Sequence, residues 1–362
     1  MRVKPKMDIT GKITDIGINV PNLFEKLLNE KQTLLADGAT GTNLFAMGLQ
    51  SGDAPELWNV DQPDKVAAHY RSFIDAGSDI VLTNTFGGTR YRLKLHNAQD
   101  RVAELNIAAT EILKAVIADS GREVIVAGSI GPSGEILAPL GEMQPDEAVA
   151  TFAEQALALK KGGADVLWIE TMSSLEEVEL AVKGAREAEL PIVFTMSLDT
   201  NGRTMMGVGA SDLMALDRQL KPHVHACGTN CGIGASEVVA AVLNLKLNAT
   251  DGSEPILVAK ANCGIPEFVD GEIVYNGTPE IMANYAVMVR NAGARIIGGC
   301  CGTSAEHVVA MRKALDSTPI SAPPTLDDIQ RVLGEISEGA KAQARGEHRV
   351  VARVVKRRRR RH

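Results

Sequence analysis

The sequence is poor in aromatic residues and contains no long apolar run, and each absence excludes a class of protein. Aromatic residues make up 4% of the chain, which argues against the stacking surfaces that bind single-stranded nucleic acid. No apolar run reaches the roughly 18 residues of a membrane-spanning helix, and no secretory signal is evident. The net charge of −7 provides no general attraction to nucleic acid. We therefore expect a cytoplasmic protein with no membrane or nucleic-acid partner, and homo-oligomer formation stays open.

A disulfide framework is also absent. The chain has five cysteines, an odd number, and all of them lie between positions 227 and 301. Such a cluster in a long chain is typical of reduced thiols that are available for metal binding or catalysis.

Short apolar runs recur along the chain, and most are followed by glycine, asparagine, aspartate or serine. Eight of these runs are candidate strands, at residues 33–36, 79–83, 124–127, 166–169, 192–196, 224–227, 256–260 and 295–297. They are continuous rather than alternating, as in parallel strands that are buried on both faces. Helical patterns separate them, so the sequence predicts an α/β fold, a (β/α)8 TIM barrel. A doubly wound open sheet is the alternative, but no GxGxxG motif follows the first strand.

The chain divides into four predicted regions. Residues 1–25 carry no clear pattern and form an N-terminal extension, and residues 26–318 form the barrel. Residues 319–338 form a C-terminal helical extension with one helix at 326–338, and residues 339–362 form a basic flexible tail. The basic run at 356–361 is also compatible with binding to nucleic acid or anionic lipid, but a solvated extension is the favoured interpretation.

Catalytic groups of TIM barrels lie at the carboxyl ends of the strands. In this chain those ends carry polar and thiol residues: Asp37, Asn84, Ser129, Glu170, Ser197, Cys231, Asn262, Cys300 and Cys301. Glycines flank Cys300 and Cys301 and let both sulfurs reach one point, while Cys231 ends a strand that approaches the same mouth. Three thiolates with one open position predict a catalytic zinc site.

Other interpretations of the cysteines and histidines remain. Buried cysteines often serve as small apolar residues, and this is the favoured interpretation for Cys227. Cys263 follows a strand and is a candidate substitute ligand. His223 and His225 alternate on one strand face, which would suit a metal, although a position near the bottom of the barrel is favoured.

Zinc held by three thiolates activates water poorly but binds a fourth thiol and keeps it deprotonated. A free thiol has a pKa of about 8.5, so the predicted site supplies a nucleophilic sulfur for alkyl transfer. Asp37 and Glu170 are candidates to bind the ammonium group of an amino-acid substrate, and backbone amides near Gly38 and Ser129 are candidates for its carboxylate. A turn role for Asp37 and a structural ion pair for Glu170 are the alternatives.

Six motifs resemble those of the homocysteine S-methyltransferase family. They are LLADGATGT at 34–42, NTFGGT at 84–89, GSIGP at 128–132, IET at 169–171, GTNC at 228–231 and GGCCG at 298–302. The resemblance covers residues 30–316 and occurs in order along the predicted strand ends.

The resemblance implies a TIM barrel that methylates homocysteine to methionine with the help of Zn²⁺. It implies zinc ligation and catalysis by Cys231, Cys300 and Cys301. It implies that Glu170 binds the homocysteine amino group with Asp37 nearby. The remaining implied substrate-binding positions are Gly38, Thr85 and Ser129.

The resemblance leaves the methyl donor open between two branches of the family. Betaine-dependent members hold the donor in an aromatic cage, for which Trp58 and Tyr91 are the candidates here. The Glu170–Thr171 pair is more similar to cobalamin-dependent members, and it implies a separate corrinoid protein as partner in a split methionine synthase. S-methylmethionine is a further candidate donor.

Two competing functions follow from the same residues. A zinc-binding or thiol-sensing protein without turnover would need its fourth metal position closed, for example by Cys263. A zinc barrel hydrolase would need histidine or carboxylate ligands and a general base, and the thiolate-rich set argues against it.

Overall fold

The computed structural model of this protein describes residues 22–198, 201–249, 254–269 and 272–347. Ten strands are present in this part of the chain, and all but β8 and β9 are parallel members of one sheet. The strands are β1 (Leu34–Leu35), β2 (Ile80–Leu82), β3 (Ile125–Ile130), β4 (Val166–Met172), β5 (Ile192–Met196), β6 (Val224–Cys231), β7 (Ile256–Ala261), β8 (Pro266–Val269), β9 (Glu272–Tyr275) and β10 (Ala294–Gly299).

The eight parallel strands close on themselves. Their spatial order is β1-β10-β7-β6-β5-β4-β3-β2, and a parallel bridge between Ala36 and Ile80 joins the two outer strands. The predicted (β/α)8 barrel is therefore confirmed, and the open-sheet alternative is wrong.

Three strands run at least three residues further than the sequence patterns predicted. β3, β4 and β6 continue to Ile130, Met172 and Cys231 because their backbones keep pairing with the neighbouring strands, as in the registers Ser129↔Trp168 and Cys231↔Ala261. The polar side chains expected just after these strands are thus part of the strands themselves. This fixes them more firmly than a loop would.

Helices surround the barrel and alternate with the strands along the chain. They are α1 (Leu23–Glu30), α2 (Gly41–Ala46), α3 (Trp58–Asp61), α4 (Pro63–Asp75), α5 (Arg90–Lys94), α6 (Val102–Ser120), α7 (Pro145–Gly162), α8 (Leu175–Ala185), α9 (Ala210–Leu220), α10 (Ala235–Leu247), α11 (Pro279–Ala292), α12 (Ala305–Ser317), α13 (Leu326–Leu333) and α14 (Glu338–Ala344). Proline opens α4, α7 and α11, where its missing N–H costs nothing. Among the described helices, none is long and apolar enough to cross a bilayer.

Helix α1 covers the bottom of the barrel, where the strands begin. Asn22 caps it by accepting a hydrogen bond from the Glu25 amide, and Phe24 and Leu27 are buried against the apolar barrel interior. Arg295 at the start of β10 donates to the Leu28 carbonyl. This helix begins at Leu23, within the last residues of the N-terminal extension predicted at 1–25, where the sequence showed no clear pattern; residues 1–21 lie outside the described part.

The C-terminal region differs from its prediction. The helix expected at 326–338 ends at Leu333, and a second helix, α14, follows within a segment expected to be flexible. Helix α14 is held because Ser337 donates to the Glu237 carboxylate and Asn244 donates to the Ala340 carbonyl. The prediction of disorder is wrong for residues 339–344, and residues 348–362 of the predicted tail, with its basic run, lie outside the described residues.

The antiparallel hairpin β8–β9 was not predicted. It is inserted between β7 and α11 and brings Tyr275 against Gly302 and Cys301, just after β10.

Candidate functional site

A cavity of 410 Å³ opens at the carboxyl ends of the strands. The strands and the loops that follow them contribute its polar lining: Gly38, Thr85, Ser129, Glu170, Cys231, Lys260, Cys300 and Cys301. Most of the residues that the strand-end argument singled out are thus brought to one place, as expected for an active site on this fold.

Three thiols converge on one point in this cavity. The sulfur atoms of Cys231, Cys300 and Cys301 all lie within 4.8 Å of one another, and no other group of three metal-binding side chains occurs among the described residues. The Sγ atoms of Cys231 and Cys301 are 3.9 Å apart. All five cysteines are free thiols in the structure.

Glycines make this convergence possible, as the GGCCG motif suggested. A Cβ atom at Gly299 would overlap the Thr303 side chain, and a Cβ atom at Gly302 would overlap the ring of Tyr275. Gly302 also has a φ of +78°, a conformation that other residues adopt only with strain. The chain can therefore turn sharply on both sides of the cysteine pair.

Backbone strain is concentrated beside the thiols. Cys231 has a φ of +66° and Thr171 a φ of +62°, values that cost energy for residues with a Cβ atom. Asn230 supports Thr171: its Oδ1 accepts from the Thr171 amide at 2.9 Å, and its Nδ2 donates to the Thr171 hydroxyl at 2.8 Å. The same Nδ2 lies 3.8 Å from the Cys300 sulfur, so Asn230 connects the two strained strand ends with the thiol cluster.

Hydrogen bonding and burial make these thiols reluctant to ionise. A hydrogen bond with Cys231, together with burial, raises the pKa of Cys300 well above its usual range. For Cys231, the bond with Cys300 lowers the pKa, but the bond with Cys301 and burial outweigh it and raise the pKa to about 12. Thiolates bind metals whereas thiols do not, so binding of a cation by this cluster would require the release of protons.

Glu170 lies in β4 beside the thiols and is 8% exposed. Its Oε1 accepts a hydrogen bond from the Ser129 hydroxyl at 2.6 Å. Burial raises the pKa of Glu170, and the positive charge of Lys260 and the Ser129 bond oppose that rise. Thr85 donates to the Ser129 carbonyl at 2.7 Å and so holds the serine in place.

Asp37 is fully buried below the cavity, and both of its oxygens are occupied. Oδ1 lies 2.6 Å from Nζ of Lys260, and Oδ2 accepts from the Leu82 amide at 2.7 Å. Sequence reasoning missed Lys260, although a single lysine in the apolar run of β7 was a signal that it needed a buried partner. The turn role proposed as the alternative for Asp37 is not what the structure shows, because its side chain binds β2 and β7.

Gly38 follows Asp37 at the floor of the cavity. A Cβ atom there would collide with the Thr303 carbonyl and the Phe73 ring. The absence of a side chain therefore lets the loop after β1 pack directly against Thr303 and Phe73.

The structure does not bring Trp58 to the cavity. Its ring packs against the core, and the Lys65 ammonium lies 4.5 Å from the ring centre. Tyr91 is likewise absent from the lining and bonds to Glu147. The aromatic side chains that do line the cavity are Phe45 and Phe86, which are 46% and 37% exposed.

The remaining candidate ligands lie apart from the thiol cluster. Cys263 bonds to His307 Nε2 at 3.0 Å and to the Gly277 carbonyl at 3.1 Å, and Cys227 is buried in the core. His225 packs against Phe24 and lies 3.7 Å from Glu25 at the bottom of the barrel. These positions agree with an apolar packing role for Cys227 and with a location of His225 near the bottom of the barrel.

Comparison with known proteins identifies the family. Residues 34–315 match the profile described as homocysteine S-methyltransferase. The chain belongs to this family. The resemblance read from the six motifs is confirmed, and with it the predicted methyltransferase class.

The curated relatives are longer proteins. The chain is 30% identical over 295 residues to methionine synthase of Mycobacterium tuberculosis, covering 77% of this chain and 24% of the relative. Identity to methionine synthase of Mycobacterium leprae is 28% over 295 residues, with the same coverage. This homocysteine S-methyltransferase family member therefore spans about a quarter of the length of these relatives.

Solved structures of similar proteins share the fold. The homocysteine methyltransferase MmuM from Escherichia coli, solved in an oxidised and a metallated form, is 25% identical with a TM-score of 0.66, over 81% of this chain and 99% of MmuM. A methyltransferase from Methanosarcina mazei matches with a TM-score of 0.54 at 14% identity, over 82% of this chain and 98% of that one. The second match supports the fold alone.

Proposed function

We propose that this protein is a zinc-dependent homocysteine S-methyltransferase that produces methionine. The observation that carries the proposal is the convergence of three thiols within 4.8 Å of one another, in a cavity that also contains a buried carboxylate, Glu170. A thiol amino acid has the two complementary groups, a sulfur and an ammonium group.

Zn²⁺ fits the donor set of Cys231, Cys300 and Cys301. Three soft sulfur donors favour zinc over magnesium or calcium, and three ligands leave one position of a tetrahedral site free. When bound, zinc lowers the pKa of a thiol that takes the free position, so that homocysteine is held as a thiolate. Cys263 bonds to His307 instead of joining the cluster, which disfavours the storage or sensing alternative with a closed site.

The amino-acid end of homocysteine would lie over Glu170 and the loop after β1. The Glu170 oxygen that Ser129 does not use would accept a hydrogen bond from the ammonium group. Thr85 holds Ser129 in position by donating to its carbonyl. Gly38 lines the cavity, and main-chain amides of this loop are the candidate partners of the substrate carboxylate.

The transfer itself forms one bond and breaks one bond. The homocysteine sulfur attacks the methyl carbon, the S–C bond forms, and the bond between methyl and donor breaks with its electron pair remaining on the donor. The protein contributes by holding the sulfur in line with a methyl group that enters through the cavity mouth, between Phe45 and Phe86.

For the donor we propose a methylated corrinoid carried by a separate protein. Two observations support it: the aligned region is only 24% of the methionine synthase relative, which therefore contains further regions, and Trp58, the expected cage residue, already faces Lys65. Glycine betaine is the second candidate, since Phe45 and Phe86 offer aromatic surface at the mouth. We further propose residues 26–318 as the catalytic barrel, residues 319–338 as its C-terminal extension, and a reducing compartment such as the cytoplasm, which would keep the clustered thiols from oxidising.

A donor screen tests the proposed function. Zinc-loaded full-length protein and homocysteine are incubated with one methyl-deuterated donor at a time: methylcobalamin as a corrinoid probe, glycine betaine or S-methylmethionine. Labelled methionine is measured by mass spectrometry. We expect labelled product with the corrinoid; zinc and homocysteine binding without labelled product from any donor would overturn the proposal in favour of a non-catalytic thiol-binding protein.

A further inference from the structure

A lysine is buried in the floor of the cavity, and the proposed methyl transfer does not use it. Lys260 in β7 has a side chain that is 2% exposed, and its Nζ lies 2.6 Å from Asp37 Oδ1. The same ammonium group lies 5.7 Å from the centre of the Trp168 ring. An ammonium group buried in such a place stays charged only when an opposite charge lies close to it.

The carboxylates of Asp37 and Glu170 differ in how many of their oxygens are already hydrogen-bonded. Asp37 uses one oxygen for Lys260 and the other for the Leu82 amide, and its side chain is 0% exposed. Glu170 uses one oxygen for Ser129, and it lines the cavity. Of these two carboxylates, Glu170 is therefore the one with an oxygen left for a ligand.

The charges of the three groups add up to one negative charge, two carboxylates against one ammonium. Both Asp37 and Glu170 act on Lys260: burial lowers the lysine pKa, but the two negative charges outweigh it and raise the pKa above its ordinary value. Without the lysine, two carboxylates would share a dry site, and one of them would take up a proton.

We propose that Lys260 is a positioning residue that neutralises Asp37 and thereby leaves Glu170 as the net negative charge of these three groups, which recognises the substrate ammonium group. Asp37 acts through Lys260 and does not touch the substrate. This inference rests on the proposed function. It also names the specificity of the site: the Lys260–Asp37–Glu170 group selects a thiol that carries an ammonium group over the same thiol without one.

Three variants separate this role from the alternatives. Asp37→Asn leaves Lys260 free to pair with Glu170, so the site loses its net charge and homocysteine affinity falls. Lys260→Met leaves two carboxylates and one shared proton, so homocysteine affinity falls and decreases further from pH 8.5 to pH 6.5. The double variant Lys260→Met with Asp37→Asn removes both members of the pair together, and Glu170 keeps its hydrogen bond from Ser129.

The measurement is homocysteine binding to zinc-loaded protein by calorimetry, with 4-mercaptobutanoate as the matched probe that lacks the amino group. Zinc content is measured in parallel for every variant. Loss of one partner of a buried charge pair costs about 30-fold or more, so we expect a decrease of that size for Asp37→Asn. The double variant should regain affinity to within about threefold of the unaltered protein, because an intact buried pair can be replaced by neutral groups at little cost. Binding of 4-mercaptobutanoate should change little throughout.

The double variant also decides between the possible outcomes. If Asp37 bound the ammonium directly, or if Lys260 bound the substrate carboxylate, the double variant would stay as weak as the single ones, and the inference would be wrong. If the unaltered zinc protein bound no homocysteine, the proposed function itself would fail. Should Lys260→Met not fold, Asp37→Asn and the double variant, in which Asp37 is not left as a carboxylate without Lys260, still complete the test.

Discussion

The two ends of the barrel are built from the same eight strands but have opposite chemistry. At the bottom, helix α1 buries Phe24 and Leu27 against apolar side chains of the strand starts, such as Ile80 and Val166. At the top, the interior contains thiols, two carboxylates and a lysine, and it opens into a cavity of 410 Å³. One end is filled and the other is kept open.

This difference shows how the fold separates stability from function. Burial of apolar area at the bottom stabilises the barrel at roughly 25 cal/mol per Å². Groups at the top lower the stability of the fold, because the backbones of Thr171 and Cys231 are strained and Glu170 is a buried carboxylate. Substitutions at the two ends should therefore have opposite effects on stability and on activity.

The largest effect is expected from the metal ligands. Cys300→Ala should abolish stoichiometric zinc binding and lower activity by more than about 100-fold, since even outer partners of metal sites cost about 10- to 100-fold. The melting temperature should change little. Zinc analysis, turnover and thermal unfolding of the same preparation check this.

Cys227→Ala is the matched control, because Cys227 lies in the same strand as Cys231 but is buried away from the cluster. It should keep zinc and activity while losing some stability. Full zinc content and turnover in Cys300→Ala would refute its assignment as a ligand.

At the bottom the reverse result is expected. Phe24→Ala should lower the free energy of unfolding by about 3–5 kcal/mol, the usual cost of removing a buried phenylalanine, without changing homocysteine affinity. Denaturant unfolding and calorimetry test both parts. Phe45→Ala at the cavity mouth, where the side chain is 46% exposed, should have little effect on stability. Equal destabilisation by the two substitutions would remove the proposed contrast.

Much of this contrast was predictable from the sequence. Continuous apolar runs predicted the strands, because parallel strands are buried on both faces, and the glycines around Cys300 and Cys301 predicted that the sulfurs meet. Lys260 was not recognised, because its partner Asp37 is 223 positions away in the chain and only barrel closure brings them together.

The mistakes in element bounds have the same origin. Residue patterns could not show that β4 continues through Glu170, because pairing with its neighbours, and not local composition, sustains the strand. Helix α14 was expected to be disordered because its sequence is polar, yet contacts with Glu237 and Asn244 of α10 hold it.

A moderate effect is expected at the hydrogen bond that orients Glu170. Ser129→Ala removes the donor 2.6 Å from Glu170 and should weaken homocysteine binding about tenfold, in line with a hydrogen bond to a charged group, while zinc binding is kept. Ser133→Ala is the control, because Ser133 bonds to Glu177 outside the cavity. Unchanged homocysteine affinity in Ser129→Ala would show that Glu170 needs no such support.

The smallest effect is expected in the pH dependence of stability, through His225 at the bottom of the barrel. Burial lowers the pKa of His225 below its ordinary value of 6.5, so the unfolded chain binds a proton there before the folded protein does. The stabilising contribution is complete above pH 6.5 and is lost as the pH falls from 6.5 toward the folded pKa. His225→Gln should therefore show a slightly smaller fall in melting temperature between pH 8 and pH 5.5. An identical fall in both proteins would contradict this assignment.

The central claim is that three cysteines hold a zinc ion that accepts the sulfur of homocysteine. X-ray absorption at the zinc edge tests it directly, with selenohomocysteine as the substrate analogue. We predict three sulfur neighbours and one lighter neighbour before the analogue is added, and three sulfurs with one selenium afterwards. A zinc spectrum without a selenium neighbour at saturating analogue, or with fewer than three sulfurs, would contradict it.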